Sequence, residues 1–132
     1  MVCLDTTFLI DLIRKNPVAE KKLKSLMKGS DGPCTTVITL AELFYGAYKS
    51  KNVGQEKENI EQALSGILIL DMNEHAAEKF GQILSTTEKS GQKISDRDVM
   101  IAAIAISKGE NIIVTRNKKD FERIPNLTVE TY

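Results

Sequence analysis

The sequence predicts an α/β domain wound around a mostly parallel sheet. Short apolar runs alternate with amphipathic helical stretches along its 132 residues, the pattern that parallel strands with crossover helices produce. Two of the runs, Val2-Cys3-Leu4 and Ile112-Ile113-Val114, stop at polar residues, Asp5 and Thr115-Arg116-Asn117. A third stretch, Val99 to Ile106, is apolar all round, which marks a helix buried inside the domain.

In order, the first strand covers Val2 to Asp5, and a short helix from Thr7 to Arg14 follows with Phe8, Leu9, Leu12 and Ile13 on one side. Asn16 caps a second helix that Pro17 starts in its first turn and Gly29 ends. It carries Val18, Leu23, Leu26 and Met27. Ser30-Asp31-Gly32-Pro33 reads as a turn and Cys34 to Val37 as the second strand. A third helix runs from near Thr39 to Ser50, with Leu40, Leu43, Phe44 and Ala47 as its inward stripe. Gly46 in its middle costs ~1 kcal/mol against alanine, so close packing is expected there. Lys51 to Gly54 reads as a loop, Gln55 to Leu64 as a polar helix, and Ile67 to Leu70 as the third strand. Asn73 opens a long helix with Ala76, Phe80, Ile83, Leu84 and Thr87 spaced three and four apart, and His75 exposed in its first turn. Gly91-Gln92-Lys93 breaks it. The buried helix spans Asp96 to Lys108, Gly109 stops it, Ile112 to Thr115 is the fourth strand, and Thr128 to Thr131 is a short edge strand.

A chain of this length predicts one domain, residues 1–132, with a single core. The longest apolar run, Val99 to Ile106, is eight residues, far below the ~18 a membrane span needs. With no basic, cleavable leader at Met1, the expected compartment is the cytoplasm. Cys3 and Cys34 sit in apolar runs and read as buried hydrophobes. No CxxC or Cys/His cluster exists, and the single histidine removes two-histidine metal sites and most nucleophile relays. Charge balances at 18 basic against 18 acidic residues, which excludes a simple polybasic nucleic-acid binder. Basic residues do cluster, however, from Arg14 to Lys28 and again at Arg116, Lys118, Lys119 and Arg123. Each group reads either as a solvated helix face or as a phosphate-contacting rim.

The acids carry the functional lead. Crossovers between parallel strands start at the carboxyl edge and return to the amino edge. The buried helix feeds the fourth strand within a few residues, so its first turn, with Asp96 and Asp98, falls at the carboxyl edge. Glu42 falls there too, a turn or so after the second strand, and Asp5 is already there. Ligands of open parallel sheets collect in that crevice. Carboxylates without histidine or thiolate suit a hard cation, Mg²⁺ or Mn²⁺. Each acid also has a plainer reading. Asp5 and Ser95 can be helix caps, Asp98 the third position of a capping box, and Glu42 an exposed helix residue. Asp96 and Asp98 differ by about 200° around a helix and cannot both face inward. Asp98 is expected as the inner ligand and Asp96 as the outer one.

Four ordered segments now carry a resemblance: Cys3-Leu4-Asp5-Thr6-Thr7-Phe8-Leu9-Ile10-Asp11-Leu12, Thr36 to Ala47 around Glu42, Ile94 to Ala103 around Asp98, and Val114-Thr115-Arg116-Asn117-Lys118-Lys119-Asp120-Phe121. Together they resemble the PIN-domain family, and within it the VapC ribonuclease toxins of VapBC toxin–antitoxin systems. The resemblance covers essentially the whole chain. It implies a three-layer α/β/α sandwich around a parallel sheet and Mg²⁺- or Mn²⁺-dependent hydrolysis of RNA. It also implies homodimers, and a small VapB-like antitoxin that wraps the toxin and blocks its acidic pocket. The family's invariant acids fall on Asp5, Glu42 and Asp98, with Asp5 and Asp98 as metal ligands, and the accompanying hydroxyl falls on Thr115.

Two departures stand out. Many relatives have Asn where this chain has Thr7, and the fourth acidic position falls on the neutral Asn117, leaving Asp120 or Asp96 to compensate. Two other classes compete. A phosphohydrolase of the haloacid-dehalogenase type needs a second Asp two residues after Asp5, where Thr7 stands. A catalytically silent binding module would not need all three main acids. Finally, Phe44, Tyr45 and Tyr48 share one helix and cannot all face inward on a 3.6-residue period. Exposed aromatic surface for a protein partner is therefore expected on that helix.

Overall fold

Strands of three or four residues, each buried by helices, must divide their side chains between two cores. The computed structural model describes residues 1–29 and 32–132. Its strands, β1 (Val2–Leu4), β2 (Pro33–Thr36), β3 (Leu68–Leu70), β4 (Ile112–Val114) and β5 (Thr128–Glu130), form one parallel sheet in the order β3-β2-β1-β4-β5. Cys3 pairs in register with Cys34 on one side and Ile113 on the other. These three point into one core, while Leu4 and Val114 point into the opposite one. Both cysteines are free and buried, as expected.

The connections account for the two cores. Helices α1 (Thr6–Ile13) and α2 (Pro17–Met27) join β1 to β2, and α3 (Val37–Lys49) and α4 (Val53–Ala63) join β2 to β3. Their buried residues, among them Phe8, Leu9, Leu43, Ala47 and Ile60, cover the Leu4/Val114 face. Helices α5 (Glu74–Lys89) and α6 (Asp96–Ser107) return from β3 to β4, and α7 (Lys118–Phe121) joins β4 to β5. Ala76, Ile83, Phe121 and the wholly buried Ile101 to Ala105 cover the Cys3/Ile113 face. The result is the expected α/β/α sandwich. The chain moves outward from β1 through β2 and β3 with helices on one face. It then crosses back to β4 with helices on the other, so every crossover keeps the same hand, as sheet twist favours. Strand order therefore reverses between β1 and β4, and the crevice beyond their carboxyl ends is the switch point. Among the described residues, no helix is long and apolar enough to cross a membrane.

Several local expectations need correction. Asp5 is not the last strand residue but the N-cap of α1, accepting from Phe8 N–H at 3.0 Å. Val37 belongs to α3, because Thr36 Oγ1 accepts from Thr39 N–H and starts the helix early. Val53 and Gly54 are helical for the same reason, with Asn52 as cap. Val18 and Met27 are exposed, and α2 buries only Ala19. Gly46 is exposed, and a Cβ there would meet nothing within 4 Å. Close packing is therefore not why glycine stands at 46. His75 is exposed at the start of α5, as expected. Of the expected turn at 30–33, Ser30 and Asp31 lie outside the described residues.

Candidate active site at the carboxyl edge

Asp5 is the centre of the switch point. Its carboxylate is 1% exposed and fully engaged. Oδ1 accepts from Thr7 Oγ1 at 2.7 Å and from Phe8 N–H, and Oδ2 accepts from Thr115 Oγ1 at 2.5 Å. Thr115 lies directly after β4 and takes the Asn117 N–H on its own oxygen at 2.8 Å. The pairing of β1 with β4 thus brings together residues 110 apart in sequence. Both readings of Asp5 hold at once: it caps α1 and it sits in the crevice.

Glu42 arrives from the second turn of α3. Thr6 Oγ1 donates to its Oε1 at 2.8 Å and also reaches Thr39 Oγ1 at 3.1 Å, while Arg97 Nη1 stands 3.6 Å from Oε2. Asp98 enters from the first turn of α6, where Ser95 Oγ caps its backbone N–H at 3.2 Å. Asn117 supplies the link between loops: its amide nitrogen donates to Asp120 Oδ2 at 2.9 Å and reaches Asp98 Oδ2 at 3.4 Å.

Electrostatics report the crowding of negative charge. Burial raises the Asp5 carboxyl above the usual range against three hydrogen bonds that favour its charged form, and the charge of Glu42 adds to the rise. Asp98 is pushed up to about 6, first by burial and then by the charge of Asp5, with Glu42 and Asp120 adding to it. Four acids, from the cap of α1 and from α3, α6 and α7, therefore sense one another. Asp96 does not join them. It is exposed, two residues around the helix from Asp98, and lines a shallow depression with Leu84, Glu88 and Lys93 against α5. The acid that accompanies Asn117 is Asp120.

A PIN-domain family model matches residues 2–127. The chain belongs to the PIN-domain family. Relatives along nearly the whole PIN domain include ribonuclease VapC2 of Haemophilus influenzae, 36% identical over 129 residues and covering 98% of this chain and 96% of the relative. The tRNA(fMet)-specific endonuclease VapC of Shigella flexneri is likewise 36% identical over 129 residues, with the same coverage. Among solved structures, VapBC2 of Rickettsia felis bound to a promoter DNA fragment superposes with a TM-score of 0.92 at 32% identity, covering 100% of this chain and 99% of that one.

The donor set of this PIN domain fits a hard divalent cation. The clustered groups are carboxylate, amide and hydroxyl oxygens, and neither His75 nor the core cysteines reach them. Among the described residues, no three acids close around one point by themselves. That suits Mg²⁺, which keeps several waters and takes only one or two carboxylates plus substrate oxygens. Thr7, the first departure, still orients Asp5 through its hydroxyl. Asn117, the second, adds a neutral donor between two acids, which offsets repulsion that a fifth carboxylate would increase. Sequence reasoning missed the hydroxyl of Thr6, which donates to Glu42, and that of Thr39, which meets Thr6. Their only sequence signal is a threonine beside each first-turn acid or cap.

Proposed function

We propose that this chain is a Mg²⁺- or Mn²⁺-dependent endoribonuclease, acting in the cytoplasm as the toxin of a toxin–antitoxin pair. Asp5 and Asp98 hold the cation. Asp98 carries the reading best. The first turn of α6 brings it, half-buried, to the same crevice as Asp5 and within reach of the Asn117 amide shared with Asp120. A cation there would relieve the crowding of charge that raises its carboxyl to about 6. The names of the relatives, VapC ribonucleases and a tRNA endonuclease, support the same chemistry. A bound divalent ion polarises a phosphoryl oxygen and lowers the pKa of water. The chain's own residues do the rest. Thr7 and Thr115 fix the Asp5 carboxylate from both oxygens, with Oδ2 accepting, among the described residues, only the Thr115 hydroxyl. Thr6 and Arg97 hold Glu42 at the mouth, where it orients and deprotonates the attacking water. Asn117 keeps Asp98 and Asp120 from repelling each other. In calorimetric titration with Mn²⁺, Asp5→Asn and Asp98→Asn should each abolish or severely weaken binding, and both should lose RNA cleavage. Unchanged Mn²⁺ binding in both variants would remove the site.

A partner follows from the exposed side of α3. Tyr45 and Tyr48 are 63% and 64% exposed. On the same helix a groove of about 410 Å³ between α1, α3 and α4 has apolar walls from Ile10, Ile13, Leu43 and Ile60, with Gly46 and the charged Glu42 also lining it. The solved VapBC complexes that superpose on the chain support a small antitoxin laid along this helix, with a cation reaching Asp5 and Asp98. Such an Arg–carboxylate pair competes with the metal. Co-expression with the neighbouring small gene and affinity purification tests it. Failure to co-purify, or a complex that cleaves RNA as fast as the free chain, refutes this regulation.

A further inference from the structure

Arg116 belongs to the end of β4, yet its side chain leaves the carboxylate pocket. Its backbone N–H donates to Thr7 Oγ1 at 3.0 Å, within the hydroxyl network that holds Asp5. Its guanidinium reaches α1, where Nη1 lies 3.0 and 3.3 Å from the two oxygens of Asp11. Asp11 is 5% exposed, whereas the Arg116 side chain is 57% exposed. Tyr132 closes the other side. Its hydroxyl donates to Asp11 Oδ2 at 2.5 Å, and its ring meets Phe8 edge-on with centroids 4.8 Å apart. Burial first, and then the bond to Asp11, hold the phenol above its usual range, so it remains a donor.

This is an unusual way to neutralise a buried acid. A guanidinium presents five N–H donors in a rigid fork, and Asp11 engages only the Nη1 arm. The rest of the fork makes no such contact among the described residues, on a side chain 57% exposed. Asp11 lies six residues after Asp5 on α1, about 9 Å along the axis at the helical rise. The exposed Lys118 and Lys119 continue the positive edge on α7. A pre-aimed guanidinium beside an acidic centre matches a polyanion whose scissile phosphate lies in that centre.

We propose that Arg116 binds the RNA phosphate next to the scissile one, and that Asp11 and Tyr132 are the positioning pair that aims it. This rests on the ribonuclease reading above. Arg116→Gln should raise KM about tenfold, the loss of one charge-assisted contact, with kcat little changed. Because that variant also strands the Asp11 carboxylate, the double variant Asp11→Asn/Arg116→Gln is the deciding one. It removes both charges, should recover the thermal midpoint, and should keep the raised KM. Binding of a fluorescein-labelled mixed-sequence single-stranded RNA, measured in an Asp98→Asn background that does not cut it, should lose about 0.7 from its log–log salt slope on adding Arg116→Gln. Tyr132→Phe, which keeps the ring against Phe8, should raise KM with the slope intact; a parental KM there removes Tyr132 from the pair. A double variant with parental KM, or an unchanged salt slope, makes Arg116 a mere counter-charge and overturns the proposal. A parent chain that cleaves no RNA sinks the ribonuclease reading instead, and the binding arm still reads the phosphate contact.

Discussion

Asp98 shows how a single residue can work against the fold that holds it. Its carboxyl, raised from 3.8 to about 6, binds a proton more tightly in the folded than in the unfolded chain. Between about pH 4 and 6 the folded state therefore carries more protons, and stability falls as pH rises through that window. Above it the deficit is full. The shift corresponds to at most about 3 kcal/mol, and solvent screening at a half-buried site reduces it to about 1–2 kcal/mol. Asp98→Asn should thus raise the metal-free melting temperature at pH 7, lose that advantage by pH 4, and lose RNA cleavage at every pH. A variant that melts lower at pH 7 contradicts this account. Glu42 is different, because its partners are a hydroxyl and an exposed arginine. Glu42→Gln keeps the Thr6 bond, so thermal melting should move by no more than about 0.5 kcal/mol while cleavage drops by orders of magnitude. Full activity would take Glu42 out of the mechanism.

Gly46 belongs to the scale of the element. It costs α3 about 1 kcal/mol relative to alanine, yet an added Cβ meets nothing within 4 Å. Gly46→Ala should therefore stabilise the free chain by up to that amount, leave cleavage unchanged, and weaken antitoxin binding, since position 46 lines the groove. Tight antitoxin binding by this variant would free the groove from the proposed interface. Glycine had suggested close packing because a helix cost invites a local reason; α4 instead stands far enough away to leave open space. The acids were legible for the opposite cause. Asp5 ends an apolar run, Asp98 opens one and Glu42 follows the second strand by a turn or so, and the parallel crossover rule carries all three to one edge without further information. The split of Asp96 from Asp98 was legible too, as a matter of degrees per residue. Asp11, Arg116 and Tyr132 were not. Their contacts span 105 and 121 positions. In sequence Arg116 reads only as one of a basic group, a solvated face or a phosphate-contacting rim, with nothing to tie it to Asp11 or Tyr132. The one hint was an acid between Ile10 and Leu12 in an otherwise apolar turn. The four-residue α7 is too short for periodicity to reveal.

At the scale of the whole molecule, the cation ties the elements together, because its proposed ligands come from both ends of the chain. A ligand that binds only the folded state stabilises it by about 2.7 kcal/mol at a hundredfold excess over Kd. Mn²⁺ should therefore raise the melting temperature of the parent and not that of Asp5→Asn; equal shifts in both would place the ion elsewhere. The aromatic face of α3 makes a further expectation, a homodimer in solution. Light scattering should report twice the chain mass of 14.7 kDa, and a monomer at micromolar concentration would reject it.

The order of the strands also sets a timetable. β1 is the first strand to leave the ribosome, but the hydroxyl that completes its acid follows β4, and Asp5 N–H itself waits for the carbonyl of Val114. At about 5–20 residues per second, a growing chain spends most of its synthesis with β1 and β2 available to pair but with no β4 beside them. During that interval Asp5 lacks both the hydroxyl and the carbonyl that set its place, so the acidic site is incomplete. A chain that stops short of Thr115 therefore has β1 without the neighbour that fixes its acid.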